Sequence, residues 1–190
     1  MLKLIAVLFG ALLLGAAGTV YAGDRPGAVT LCPFVGGYTF DGAEKLETRP
    51  MFGLRLGYDI TKNFDMEATF GYVSTHFTSL VSGTVNVYNY RLGGVYNLMP
   101  DRTVVPYLGI DVGGTSLEMP INDVIAHPHN HSPTLSAGGG FKWFISKNVA
   151  IRADYHQNIL FYTNDANNKT ENFLLNYMYS LGLHILFGGT

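Results

Sequence analysis

The sequence predicts an all-β protein, an eight-stranded antiparallel up-and-down transmembrane β-barrel. Three observations lead there. Residues 1–22 read as an export signal. Eight later segments alternate apolar and polar side chains with a period of two. Nearly every charge within those segments falls on the face opposite the apolar one, among glycines.

The signal comes first in the chain. Lys3 supplies a positive start, Leu4 to Leu14 an apolar run, and Val20-Tyr21-Ala22 small residues at the expected cleavage positions. The run is too short to cross a bilayer as a helix, and no cysteine near the cleavage site points to a lipid anchor. Cleavage after Ala22 removes 22 of 190 residues, so residues 23–190 form the single barrel domain. Of the 12 Lys+Arg only Lys3 is lost, which moves the net charge from −2 to −3. That balance argues against a nucleic-acid partner.

Strands are expected at roughly 27–39, 50–60, 64–76, 84–98, 104–117, 133–145, 149–160 and 172–187. The first is ambiguous in face, because Cys32-Pro33-Phe34 breaks the rhythm. In the second, Phe52, Leu54, Leu56 and Tyr58 oppose Gly53, Arg55, Gly57 and Asp59. In the third, Met66, Ala68, Phe70 and Tyr72 oppose Asp65, Glu67, Thr69 and Gly71. The fourth sets Tyr88, Tyr90, Leu92 and Tyr96 against Asn89, Arg91, Gly93 and Asn97. The fifth sets Leu108, Ile110 and Val112 against Tyr107, Gly109, Asp111 and Gly113. The sixth sets Leu135, Ala137, Phe141 and Trp143 against Ser136, Gly138, Gly140 and Lys142. The seventh sets Val149, Ile151, Ala153 and Tyr155 against Arg152, Asp154 and His156. The eighth is the cleanest: Leu175, Tyr177, Tyr179, Leu181, Leu183, Ile185 and Phe187 share one face.

Alternation alone also fits a soluble sandwich with its apolar face inward. Composition favours the inverted reading. Charged residues are 14% of the chain, against about 25% in soluble domains. Aromatics reach 13%, and no mature stretch holds 18 consecutive apolar residues. A charge-poor exported chain without a spanning helix has the closed barrel as its membrane solution. Tyr177 and Phe187 lie ten residues apart on one face. At ~3.3 Å per residue and a tilt of ~40° that is ~25 Å, the height of a lipid-facing band.

Connections alternate in length. Ile60–Phe64, Met99–Arg102 and Ile145–Val149 make tight turns, whereas 40–49, 77–83, 118–132 and 161–171 are longer and polar. Short periplasmic turns and long outer loops are the pattern of the bacterial outer membrane. They place both termini in the periplasm.

Residues 27–187 resemble the small eight-stranded outer-membrane barrels of the OmpA and OmpX kind. The closing residues 180–187 resemble the C-terminal signal read by the barrel-assembly machinery, through Ser180, Gly182, Ile185 and Phe187. The tail Gly188-Gly189-Thr190 departs from that pattern, which usually ends on the aromatic. The resemblance implies insertion among outer-membrane lipid and lipopolysaccharide in a Gram-negative envelope. It does not bring the C-terminal peptidoglycan-binding domain of full-length OmpA relatives.

Two constellations could carry chemistry. Arg55, Glu67, Arg91, Asp111, Lys142, Arg152 and Asp154 point inward, where an eight-stranded barrel is just wide enough for side chains to fill it. Buried charges must pair. They are therefore expected to form a plug, the alternative being a charge-lined pore for small or hydrophobic solutes. His127, His129 and His131 share one side of an extended outer loop and could bind zinc, copper or nickel. The competing reading is a polar loop tip.

Lipid A modification would need a His beside a Ser with a carboxylate. His131-Ser132 and Asp154-Tyr155-His156 are the candidates, and neither matches the His-x-Ser-Asn of the deacylase. Cys32 alone excludes an internal disulfide and a CxxC metal site. The expectation is a monomeric, non-enzymatic barrel without a cofactor, with a role in adhesion or envelope integrity and an extracellular ligand at its outer loops.

Overall fold

In a computed structural model, residues 23–76, 84–118, 131–163 and 171–189 are described. Residues 1–22, expected to be an export signal, and His127 and His129 lie outside them. The eight strands are β1 (Ala28–Thr39), β2 (Arg49–Asp59), β3 (Phe64–His76), β4 (Thr84–Asn97), β5 (Val104–Glu118), β6 (His131–Ser146), β7 (Val149–Thr163) and β8 (Glu171–Gly188). Each pairs antiparallel with its sequence neighbours, and β1 pairs with β8, so the sheet closes into a barrel. Closure removes both sheet edges and leaves the backbone polar groups paired within the wall.

The wall is inverted, as expected. Leu56, Phe70, Leu92, Ile110, Val112 and Leu181 are exposed on the outside, while Arg55 and Arg152 inside are each 1% exposed. In water this arrangement would be unstable, and in lipid it is the required one.

β1 resolves the one ambiguous face. Its rhythm is unbroken: Thr30, Cys32, Phe34 and Tyr38 are buried, and Val29 and Val35 are exposed. What misled was Phe34, an aromatic on the lumen side. Its ring lies 4.0 Å beneath the Arg55 guanidinium. Pro33 has no N–H to give. The pairing of β1 with β8 runs from Ala28–Leu31 to Phe34–Thr39 with Cys32 and Pro33 unpaired across that seam.

The short connections are built from local side-chain acceptors. Thr61 Oγ1 accepts from the Asn63 and Phe64 amides at 3.2 and 2.9 Å. Ser146 Oγ accepts from the Asn148 amide at 3.3 Å beside a register shift at Phe144/Ser146. The described long connection, between β1 and β2, folds back on the barrel. Asp41 and Glu44 form a capping box around a short 3-10 turn, Gly42–Glu44. Asp41 then accepts from the Leu175 amide, and its own amide donates to Asn176 Oδ1 at 2.8 Å. The loop is thereby fastened to β8.

Two glycines show why small residues recur in the wall. A side chain at Gly37 would strike the Tyr179 ring, whose Cζ would lie 2.3 Å away. One at Gly140 would strike the Ala153 carbonyl and the Tyr107 hydroxyl. The first glycine lets an aromatic lie flat on the wall. The second leaves room inside for the charge network.

Candidate functional site

The lumen is filled, and it is filled differently along its axis. At mid-height, Arg55 from β2, Glu67 from β3, Tyr107 from β5, and Arg152 and Asp154 from β7 converge. Period two puts each on the inner face, and the register of neighbouring strands brings them level. Arg152 makes a two-toothed contact with Glu67, with Nη2 to Oε1 at 3.1 Å, and its Nε donates to Asp154 Oδ1 at 2.9 Å. Arg55 Nη1 lies 3.2 Å from Asp154 Oδ2 and its Nε 3.7 Å from Glu67. The Tyr107 hydroxyl donates to Asp154 and accepts from Arg152 Nε at 2.8 Å. Ser180 from β8 accepts from Arg55 Nη2 at 2.8 Å and donates to Asp154 Oδ2.

A second cluster sits beside it. Arg91 reaches Asp111 at 3.6 Å and donates to Ser136 at 2.6 Å and Asn158 at 3.1 Å. His156 Nδ1 lies 3.5 Å from Asp111 and 3.3 Å from Ser136 Oγ. The three arginines and three acids of these two clusters balance in charge.

Toward the short-turn end lies the third cluster. Lys142 from β6 donates to Asp24 at 2.9 Å and to Asp65 at 2.8 Å. Asn97 donates to the same Asp65 oxygen. Asp59 is fully buried beside them, and its carboxylate accepts from the Arg25 amide at 3.3 Å. Below this layer Ala28, Val105, Phe144, Ala150 and Leu186 form an apolar floor. Asp24 stands outside the strands. Burial pushes its carboxyl up, but the Lys142 ammonium and then His184 outweigh that and hold it below the usual carboxylate range.

Toward the long loops the ions give way to an apolar cluster and to uncharged polar groups such as Asn89, Thr115 and Thr134, which hydrogen-bond in a row. Phe34, Tyr38, Phe40, Leu46, Met51, Val73, Val85, Val87 and Met178 pack together. Phe40 and Leu46 come from the β1–β2 loop, which drops them into the barrel. Glu44 in that loop is half-buried, and burial pushes its carboxyl up to about 7.

All seven charges expected in the lumen are there and paired. Asp24, His184 and Ser136 were missed. Asp24 precedes every alternating segment, so periodicity holds no signal for it. Asp59 and Asp65 stood on the charged face and signalled their place, yet nothing local indicated that they share Lys142. Of the assembly-signal residues, Ser180 and Gly182 face the lumen, and Phe187 faces outward.

Of the histidine group, His131 is the member among the described residues. His131 is not in the loop but begins β6, opposite Ser116. Its ring stacks on Tyr90 and lies 2.8 Å from that hydroxyl and 2.9 Å from Ser116 Oγ. His131 and Ser132 face opposite sides of the wall, so they cannot act as a pair. His156 has a serine, but it is Ser136, a fully buried residue whose hydroxyl is held by Arg91.

The barrel resembles solved structures at low sequence identity. OprG from Pseudomonas aeruginosa superposes with a TM-score of 0.59 at 14% identity, over 88% of this chain and 99% of that one. Neisserial surface protein A gives 0.58 at 17%, over 86% and 99%. Ail, the attachment invasion locus protein of Yersinia pestis, gives 0.51 at 15%, over 85% and 99%. These likenesses concern the fold. A comparison with curated protein sequences finds no match. A family model for the outer membrane protein beta-barrel domain matches residues 7–180, and the chain belongs to that family of outer-membrane barrels.

Proposed function

We propose that this protein is a non-conducting, non-enzymatic outer-membrane barrel that works at the cell surface by presenting its long loops for adhesion or envelope contact. The observation that carries the reading is the filled lumen. Charge clusters block its middle, and an apolar plug anchored by Phe40 and Leu46 blocks its long-loop end. Opening a path would separate ions that have no water to replace their partners, at several kcal/mol per ion. The short turns and both termini then face the periplasm, and the barrel stands as a monomer because closure leaves no free sheet edge.

An attachment role on this scaffold is stated in the name of the Yersinia pestis relative. Catalysis is disfavoured by the position of Ser136, enclosed in the wall with Arg91 donating to its hydroxyl. A metal role for His127, His129 and His131 would have to draw on a His131 already bonded to the wall.

The test is a planar bilayer recording of the purified mature protein. We expect no steady current. A steady, large conductance would sink the plugged reading in favour of a small-solute porin.

A further inference from the structure

The clusters of the lumen differ in charge balance. The two arginine clusters sum to zero. The short-turn cluster holds Asp24, Asp59 and Asp65 against Lys142, so with its carboxylates ionised it carries two negative charges in excess. All three acids are at least 95% buried. An imbalance of that size in a dry site demands a counter-charge.

The atoms left over point to what it is. Lys142 uses Asp24 Oδ1 and Asp65 Oδ2, and the Arg25 amide uses Asp59 Oδ2. Each carboxylate keeps one buried oxygen without a hydrogen-bond partner: Asp24 Oδ2, Asp59 Oδ1 and Asp65 Oδ1. One ligand oxygen from each acid lies within 4.8 Å of one from each of the others. A calcium ion with oxygen ligands at about 2.3–2.6 Å bridges atoms up to about 5 Å apart. A separate residue turns toward the same place. His184 is 1% exposed, and neither of its ring nitrogens makes a hydrogen bond. Its Nε2 lies 3.8 Å from Asp24 Oδ1.

We propose that Asp24, Asp59 and Asp65 form a binding site for one hard divalent cation of the calcium class, with His184 as an additional donor or as the acceptor for a water on the ion. The ion takes the oxygens that Lys142 does not use, and two positive charges bring the cluster to zero. The oxygen-rich donor set selects calcium or magnesium over thiophilic metals. The ion ties the segment before β1, through Asp24, to the ends of β2 and β3, and so locks that segment into the short-turn mouth. The inference does not depend on what the long loops contact.

The experiment uses the mature barrel refolded in a non-ionic detergent, stripped with a chelator and titrated with Ca²⁺. Calorimetry is expected to show one saturable site. The melting temperature is expected to rise with the logarithm of free Ca²⁺. Both responses should disappear in Asp59→Asn and persist in Glu47→Gln, whose part-exposed carboxylate pairs with Arg49 at the long-loop end of the barrel. Asp24→Asn, outside the strands, provides the same reading if Asp59→Asn does not fold. A wild-type protein indifferent to Ca²⁺ overturns the proposal. So does an unchanged Ca²⁺ response in either Asn variant. If Asp59→Asn is more stable than the wild type and neither responds to Ca²⁺, protons neutralise the cluster, and the cation site is refuted.

Discussion

The two halves of the lumen solve one problem with opposite chemistry. Toward the short turns, side chains fill the barrel as ions that must pair; toward the long loops, they fill it without ions, as a small apolar core beside hydrogen-bonded Asn89, Thr115 and Thr134. The ionic half is directional. Arg152 must meet Glu67 and Asp154 in one geometry, which fixes the register of β3 against β7 across the barrel. The apolar half is tolerant, because Val, Met and Phe can be exchanged for one another as long as volume is kept.

The comparison breaks most sharply at Arg152. Arg152→Ala leaves Glu67 and Asp154 buried with less compensation, and should cost about 3–5 kcal/mol. Urea unfolding in detergent micelles measures it, and a loss under 1 kcal/mol would mean the network is hydrated rather than dry. Leu183→Arg tests the facing on which both halves depend. Leu183 is exposed on the outer wall, and a charge there should cost about 2–4 kcal/mol near mid-membrane. Normal heat-modifiable gel migration with unchanged stability would count against the facing.

In the apolar half, Val87→Ala removes two methyl-sized groups from a buried site. A loss of about 1.5 kcal/mol is expected, clearly below that of Arg152→Ala. Equal losses would erase the distinction between the halves.

The smallest effect lies at Glu44. Its folded carboxyl titrates near 7 against an ordinary value of 4.5, so the folded loop binds the extra proton. The contribution of Glu44 to stability is then fully present below about 4.5 and is lost as pH rises through 7. Carbon NMR of the Glu44 carboxyl should give a midpoint near 7, and a midpoint near 4.5 would show the loop undocked.

The ionic half was legible in the sequence and the apolar half was not. Arg55, Glu67, Arg91, Asp111, Lys142, Arg152 and Asp154 announce their face because a charge within a lipid-spanning strand has one place to go. Val73, Val85, Val87 and Met51 announce nothing, since an apolar side chain satisfies either face of such a strand. Phe34 was ambiguous for the same reason. Strand positions were read closely because period two is strict. His131 was misplaced because the sixth strand was expected from residue 133, two residues after β6 begins. Asp24 could not be read at all, because only the folded chain brings it beside Lys142, 118 residues away.

The seam between β1 and β8 has a consequence for kinetics. Seven strand pairings join neighbours along the chain, but this one joins Ala28 to Gly188. Loop-closure entropy sets it last in time, after the hairpins have formed. Until then the sheet has two bare edges, a template for mispairing with other chains. Pro33 divides the seam into two stretches, so the ring zips shut in two short registers rather than one long one. The ring is complete only when the first strand of the chain meets its last.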